Sequence, residues 1–268
     1  MSVETPDWNN PGRRTDLVDT LRQWRLWAYL GWRDVRQRYR GSVLGPVWLA
    51  GSVLVITLGA GSLYAALLDV ETRRLLPFIS LSVSLWLFVS LTILEGSNSF
   101  LSAALVIRNT VLPLGGHVAR ALGRNLLVLA HSVPVVIAVF LWYRFVPAPT
   151  WPLAIIGFVL LLANVAWMAW MAALVSTRFR DVGQLIAYGL QFAIFITPVF
   201  WAPEQAGERH VVLTFNPFHH MLAVVRGPIL GETVTPESWA AATLMAVIGF
   251  AATAAFHARV RHQVVHWL

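Results

Sequence analysis

Guanidinium groups carry most of the chemistry that this sequence can offer. All 20 basic residues are arginine. Arg22, Arg25, Tyr29, Arg33, Arg36 and Arg40 recur at spacings of three and four along residues 17–40, which places them on one face of a helix. Leu17, Leu21, Trp24, Ala28, Gly31 and Val35 form a second, apolar stripe at the same rhythm. A planar guanidinium suits phosphate, so Arg33, Arg36, Arg38 and Arg40, with Trp32 among them, fit an anionic headgroup layer. Such a helix is built to lie flat in a membrane interface. Other ionisable groups stand in apolar surroundings: Glu95 closes an uncharged run, Arg226 lies within one segment, and His219-His220 form a pair.

Several chemistries are missing. Without lysine there is no Gly-x-x-x-x-Gly-Lys-Ser/Thr phosphate cradle, so the chain binds no nucleotide in that way. Gly-x-Ser-x-Gly and His-Glu-x-x-His are absent, and the acids are scattered over loops. His219-His220 lack a further ligand at fixed spacing, so they read as a solvated or headgroup-facing pair rather than a metal site. There is no cysteine for a disulfide or thiolate site. No catalytic residue is assigned. If this protein moves something uphill, its energy comes from elsewhere.

The elements that hold these groups are membrane spans. Of the 268 residues, 57% are hydrophobic and 12% charged, and the mean hydropathy is +0.64. Soluble domains carry roughly 25% charged residues, so lipid must cover much of this surface. Uncharged runs predict an all-α membrane protein with six spans near 46–68, 75–97, 121–143, 152–176, 182–202 and 238–258. A polar tail (1–16) without the apolar core of a signal peptide and an interface helix (17–40) precede this 41–268 transmembrane domain. Fifteen of the 20 arginines fall in the N-terminal region, the 95–124 and 178–181 connections and the C-terminal tail. The positive-inside rule then makes both termini cytoplasmic. The 100–120 connection is too polar to span and too apolar to float free. The outer 204–237 connection holds an apolar piece, 210–225, broken at Asn216-Pro217. A re-entrant helical hairpin between spans five and six fits it.

Four ordered motifs resemble the ABC-2-type transporter permeases, closest to those exporting O-antigen, capsule, teichoic acid or galactan. The first is Trp32-Arg33-Asp34 through Arg38-Tyr39-Arg40-Gly41-Ser42-Val43-Leu44-Gly45-Pro46-Val47-Trp48. Ile107-Arg108-Asn109-Thr110-Val111-Leu112-Pro113 follows, then Phe179-Arg180-Asp181-Val182-Gly183-Gln184 with Thr197-Pro198-Val199-Phe200-Trp201. Last come Asn216-Pro217-Phe218 and Val225-Arg226-Gly227-Pro228-Ile229-Leu230-Gly231. His219-His220 and the arginine-only basic set depart from the pattern mildly.

The resemblance implies a homodimer in a bacterial inner membrane, paired with two copies of a separate ATP-binding subunit. That subunit would bind ATP and magnesium, so no cofactor or metal is expected in this chain. Membrane lipids and an undecaprenyl-diphosphate-linked polysaccharide are the other expected partners, and nucleic acid is not. Arg108, Asn109, Thr110, Val111, Leu112 and Pro113 are expected to couple to the ATPase, with the interface helix as a second contact. Glu95 either pairs with Arg108 or Arg124 to brace an inner gate, or snorkels to the interface. Arg226 either meets the diphosphate or points to the outer surface, the second being favoured. Asn125, His131 and Asn164 are expected to hydrogen-bond neighbouring helices. A sliding sugar chain suits aromatic faces, which Phe78, Trp86, Phe88, Trp167, Trp170, Phe192, Phe195 and Phe200 could supply.

Within the same class the alternative is an exporter of a small lipophilic drug or lipid. A membrane-embedded enzyme of wall synthesis would need an acid pair or metal cluster, and a channel would need a ring of pore charges. The sequence offers neither.

Overall fold

The computed structural model describes residues 19–20, 22–38, 40, 47–110, 112–204 and 210–268. The tail 1–16, the Gly41–Pro46 part of the turn motif, Val111 and the Arg38 side chain lie outside the described residues. Among the described residues all regular structure is helical. The order is α1 (Trp24–Arg38), α2 (Val47–Leu68), α3 (Thr72–Ser97), α4 (Ser99–Ser102), α5 (Ala104–Asn109), α6 (Leu114–Trp142), α7 (Leu153–Arg178), α8 (Val182–Ile196), α9 (His210–Thr214), α10 (Pro217–Leu230) and α11 (Pro236–Trp267).

Five of these helices, α2, α3, α6, α7 and α11, are long and apolar enough to cross a membrane. The expectation was six. The predicted fifth span, 182–202, is helical only over the 15 residues of α8, about 22 Å at 1.5 Å per residue. The cause is local. Pro198 disfavours helical backbone at the residue before it, and Thr197 is extended, with φ −95° and ψ 136°.

Two other boundaries move outward. Helix α6 begins at Leu114 rather than near 121, and α11 continues to Trp267 rather than stopping near 258. Gly115-Gly116 lies inside α6. A Cβ at Gly116 would run into the indole of Trp27, and one at Gly115 would meet Thr20 Oγ1 at 2.7 Å and the indole of Trp170. The two glycines are there so that aromatic rings can approach the helix backbone.

Helix α3 is the centre of the bundle: 83% of its most apolar window is buried, against 22% for α2 and for α11. It packs against α2, α6, α7, α8 and α10. Three of its buried hydroxyls are returned to its own carbonyls, Ser80 to Pro77 O at 2.8 Å, Ser84 to Ser80 O at 2.8 Å and Thr92 to Phe88 O at 2.6 Å. Each of the three is thereby satisfied without a partner from another helix.

Each end of the bundle has its own apparatus. At one end an apolar cluster joins Phe100, Ile107, Leu114, Trp170, Leu174 and Val264 from α4, α5, α6, α7 and α11, and α1 lies along α6. At the other, α10 packs on α7 and α11. There Ala148 N donates to Ile229 O at 3.0 Å and Thr150 Oγ1 to Pro228 O at 3.0 Å.

Candidate functional site

Helix α1 presents three faces rather than two. Trp27, Gly31 and Val35 are buried against the protein, together with Thr20 one turn before the helix. The expected apolar stripe is therefore corrected: Trp24 is 61% exposed and Ala28 is also exposed. Gly31 permits the docking, because a Cβ there would meet Arg120 O and Arg124 N of α6 at 3.2 Å. Arg22, Arg25, Arg33, Arg36 and Arg40 are exposed, as are Tyr29 and Trp32. The guanidinium face stays free for another surface, with two aromatic rings beside it.

Directly under that docking lies a charge network that spacing alone did not reveal. Arg124 on α6 donates to Glu95 Oε2 on α3, from Nη2 at 2.5 Å and from Nε at 3.0 Å. Asn125 Nδ2 reaches the same carboxylate oxygen at 2.7 Å. Arg124 Nη1 also donates to Asp34 Oδ2 on α1 at 3.4 Å, and Arg120 grips Asp34 with both Nε (2.6 Å) and Nη2. Arg120 and Arg124 are one helical turn apart, so both face the same side. Of the two readings of Glu95, the structure takes the pairing with Arg124; Arg108 lies elsewhere. Asp34 and Arg120 were missed. The available signal was one acid within an arginine-laden helix, and two arginines four residues apart.

The network borders a cavity of about 290 Å³ lined by Asp34, Glu95, Val106, His117, Arg120 and Arg124, with two serines. Val106 brings α5 to the wall of this cavity. Arg108, Asn109 and Thr110 are exposed at the tip of α5, and Leu112 and Pro113 are half-buried on the way back into α6. Asn109 Nδ2 donates to Leu105 O at 2.8 Å and Thr110 Oγ1 to Val106 O at 2.6 Å, so the tip's polar groups fold back on their own helix. Leu105 is 77% exposed and Val106 43%. The tip thus offers two apolar side chains beside Arg108, a pairing the sequence reading overlooked. The opposite side of α5 is anchored: Ile107, 2% exposed, shares a cluster with Phe100, Val260 and Val264.

At the other end Asn216-Pro217 makes a helix start. Asn216 Oδ1 accepts from Phe218 N (3.0 Å) and His219 N (3.3 Å), with Pro217 in the first turn, the arrangement expected of a helix cap. Asn216 Nδ2 also donates to Ile196 O and Thr197 Oγ1, both at 3.0 Å, which ties α10 to the end of α8. His220 is buried and joined to Ser238 Oγ and Thr214 O. This corrects the solvated-pair reading, since the cap turns His220 inward.

Arg226 does not point to an outer surface. It is 1% exposed, with its guanidinium 4.1 Å from the ring centre of Phe78. Its Nη1 donates to Pro198 O at 2.6 Å and to Ser82 Oγ at 3.1 Å. Glu232 Oε2 stands 3.5 Å from Nε, an ion pair too long for a good hydrogen bond. Burial pushes the Glu232 carboxyl above the usual carboxylate range, against the pull of Arg226. Cation–π contact and charge-assisted bonds are what allow a guanidinium to be buried.

The aromatics separate by exposure. Trp86, Phe88 and Trp170 are inside the subunit, against Phe218, Phe158 and His257 respectively. Phe78 lies under Arg226. Trp167 is half-buried, against Gly249 of α11, and Phe200 stacks on Tyr64 at 5.6 Å. Phe192 and Phe195 are each 66% exposed on α8. Of the polar residues, Asn125 bonds to Glu95 and Asn164 Nδ2 to Ala242 O of α11 at 2.9 Å, whereas His131 bonds its own helix at Leu127 O.

Known proteins are similar in sequence to most of this chain. "O-antigen export system permease protein RfbA" of Myxococcus xanthus is 24% identical over 256 residues, 91% of this chain and 96% of its own length. A Klebsiella pneumoniae protein of the same description is 21% identical over 210 residues, 76% of this chain and 80% of its own. Residues 25–230 match the family described as "ABC-2 type transporter", from inside α1 to the last residue of α10. The chain belongs to the ABC-2 type transporter family.

Proposed function

We propose that this permease is the membrane subunit of an ATP-driven exporter that moves an undecaprenyl-diphosphate-linked, O-antigen-like polysaccharide out of the cytoplasm. It works as a homodimer with two copies of a separate ATP-binding subunit, which hold the ATP and magnesium. The relatives' descriptions support the substrate class. The observation that carries the coupling is the tip of α5: exposed Leu105, Val106 and Arg108 on a helix whose other side is anchored by Ile107.

In this reading α8 and the bent Thr197–Trp201 segment together make a sixth crossing, and α9 and α10 form a re-entrant hairpin. Both termini are cytoplasmic by the arginine distribution, which puts α1, α5 and the ion network at the inner face. Closure of the ATP-binding subunits presses on α5. The push passes through α4 into α3, then through Glu95 and Arg124 to α6 and through Asp34 to α1. The α1 arginines lie against anionic headgroups or the partner, each worth about 1 kcal/mol on an anionic surface. A conduit at the two-fold axis needs side chains exposed in one copy. Phe195 and Phe192 meet that condition, with Phe200 and Trp167 at the margin, whereas Trp86, Phe88 and Trp170 do not.

The test is co-purification. The tagged chain, expressed with its neighbouring genes, is expected to elute with a Walker A-bearing ATPase, and its deletion to remove the surface polysaccharide. Elution without an ATPase and an unchanged cell surface would refute the reading.

A further inference from the structure

At the α10 end a second cavity, about 360 Å³, opens between α9, α10 and the start of α11. Its walls include Arg226, His219, Glu204, Glu232, Glu237 and Thr235. Arg226 is the informative member. It is 1% exposed, and among the described residues Nη2 has no hydrogen-bond partner. His219 Nδ1 is buried and likewise unpartnered among the described residues. Buried donors without partners are costly unless a ligand or water serves them.

The composition of the walls selects the ligand. Three carboxylates against one guanidinium repel a phosphate or another anion. A bare cation would need several ligands close together, and no group of three His, Asp or Glu side chains among the described residues could hold one. What remains is a neutral molecule that donates to several carboxylates while accepting from Arg226 and His219. A sugar ring does this, because each hydroxyl is both donor and acceptor. The volume falls at the lower end of the range typical of ligand sites. The walls are braced beforehand: His220 links Thr214 O (2.9 Å) to Ser238 Oγ (3.0 Å), across the cavity's rim.

We propose that this cavity is a carbohydrate-binding site that holds a neutral sugar unit of the transported glycan at the α10 hairpin. The proposal rests on the exporter reading given above. A hold on one unit at a time would keep a long chain from slipping back between power strokes.

The test is saturation-transfer NMR on the full chain in lipid nanodiscs. The probe is the glycan released by mild acid from the producing strain, with magnesium chloride and inorganic pyrophosphate as separate ligands. Transfer to sugar ring protons is expected, reduced at least fivefold in the double variant Glu204→Gln/Glu237→Gln. Both of these carboxylates are at the surface, so the variant should fold as the parent does. Glu232→Gln should give the same loss by itself. No transfer in the parent, parental transfer in the variants, or pocket-dependent binding of magnesium or pyrophosphate instead of glycan would overturn the site. If gene deletion removes the surface glycan while any of these results holds, only the pocket fails. If deletion leaves the surface unchanged, the exporter reading fails and takes the pocket with it.

Discussion

Glu95 of α3 and Arg124 of α6 meet through a 2.5 Å bond from Nη2 and a 3.0 Å bond from Nε, and the same guanidinium reaches Asp34 of α1. One side chain therefore joins the central helix α3, the peripheral helix α6 and α1. The partners are only partly buried, at 13–36% side-chain exposure, so solvent screening moderates the energy of each pair. The value of the network is geometric: it makes three helices move together.

Glu95→Gln should weaken that joint. Charge-assisted bonds are worth about 1.5–3 kcal/mol each before solvent screening, and the change leaves Arg124 with the longer contact to Asp34 as its remaining ion pair among the described residues. Export is expected to fall at least tenfold with normal membrane insertion. The swap Glu95→Arg/Arg124→Glu should restore part of it. Export measured at the cell surface decides the matter, and an Arg124→Glu single variant as active as the parent would refute the joint.

Asp34→Asn should release α1 while leaving the spans folded. The readout is proteolysis of the N-terminal segment in intact nanodiscs, expected several-fold faster than in the parent. Gly31→Leu should do the same by steric means, since its Cβ would already stand 3.2 Å from the α6 backbone. Equal protection in all three proteins would show that α1 is held by something else.

Replacing Asn109-Thr110 by Asp-Asp places two charges on the exposed tip of α5 without disturbing Ile107 beneath it. Insertion and dimerisation should be intact, while transport-linked ATPase activity of the partner drops to its uncoupled rate. Leu105→Ala, removing a side chain 77% exposed, should have a similar but smaller effect. Parental ATPase stimulation in both variants would remove α5 from the coupling role.

Arg226→Lys should be destabilising although it keeps the charge. A lysine cannot stack on Phe78 as a plane and reach Pro198 O and Ser82 Oγ with the same fork. The loss is expected at about 2–4 kcal/mol, read as a lower thermal midpoint in nanodiscs. An unchanged midpoint would mean that the buried contacts contribute nothing net.

Much of the architecture is written in local patterns. Uncharged runs longer than the bilayer mark α2, α3, α6, α7 and α11, because apolar length is a property of the segment alone. Asn216-Pro217 marks a break in the apolar 210–225 piece for the same reason, and the structure makes that break a capped helix start. The motif at Ile107–Pro113 marks an exposed tip, and the family follows from four such local motifs in order.

What the tertiary structure decided concerns contacts between residues far apart in the chain. The need for glycine at position 116 comes from Trp27, nearly 90 positions earlier, which fills the space above it. Arg226 reads as a surface arginine until Phe78, Ser82 and Pro198 close around it. Trp86 and Phe195 have equal standing as aromatics on a span; only packing puts one inside and the other out. Asp34 finds its meaning 86 residues away in Arg120. Periodicity can say which side of a helix a residue occupies, but the neighbour on that side is chosen by the whole bundle.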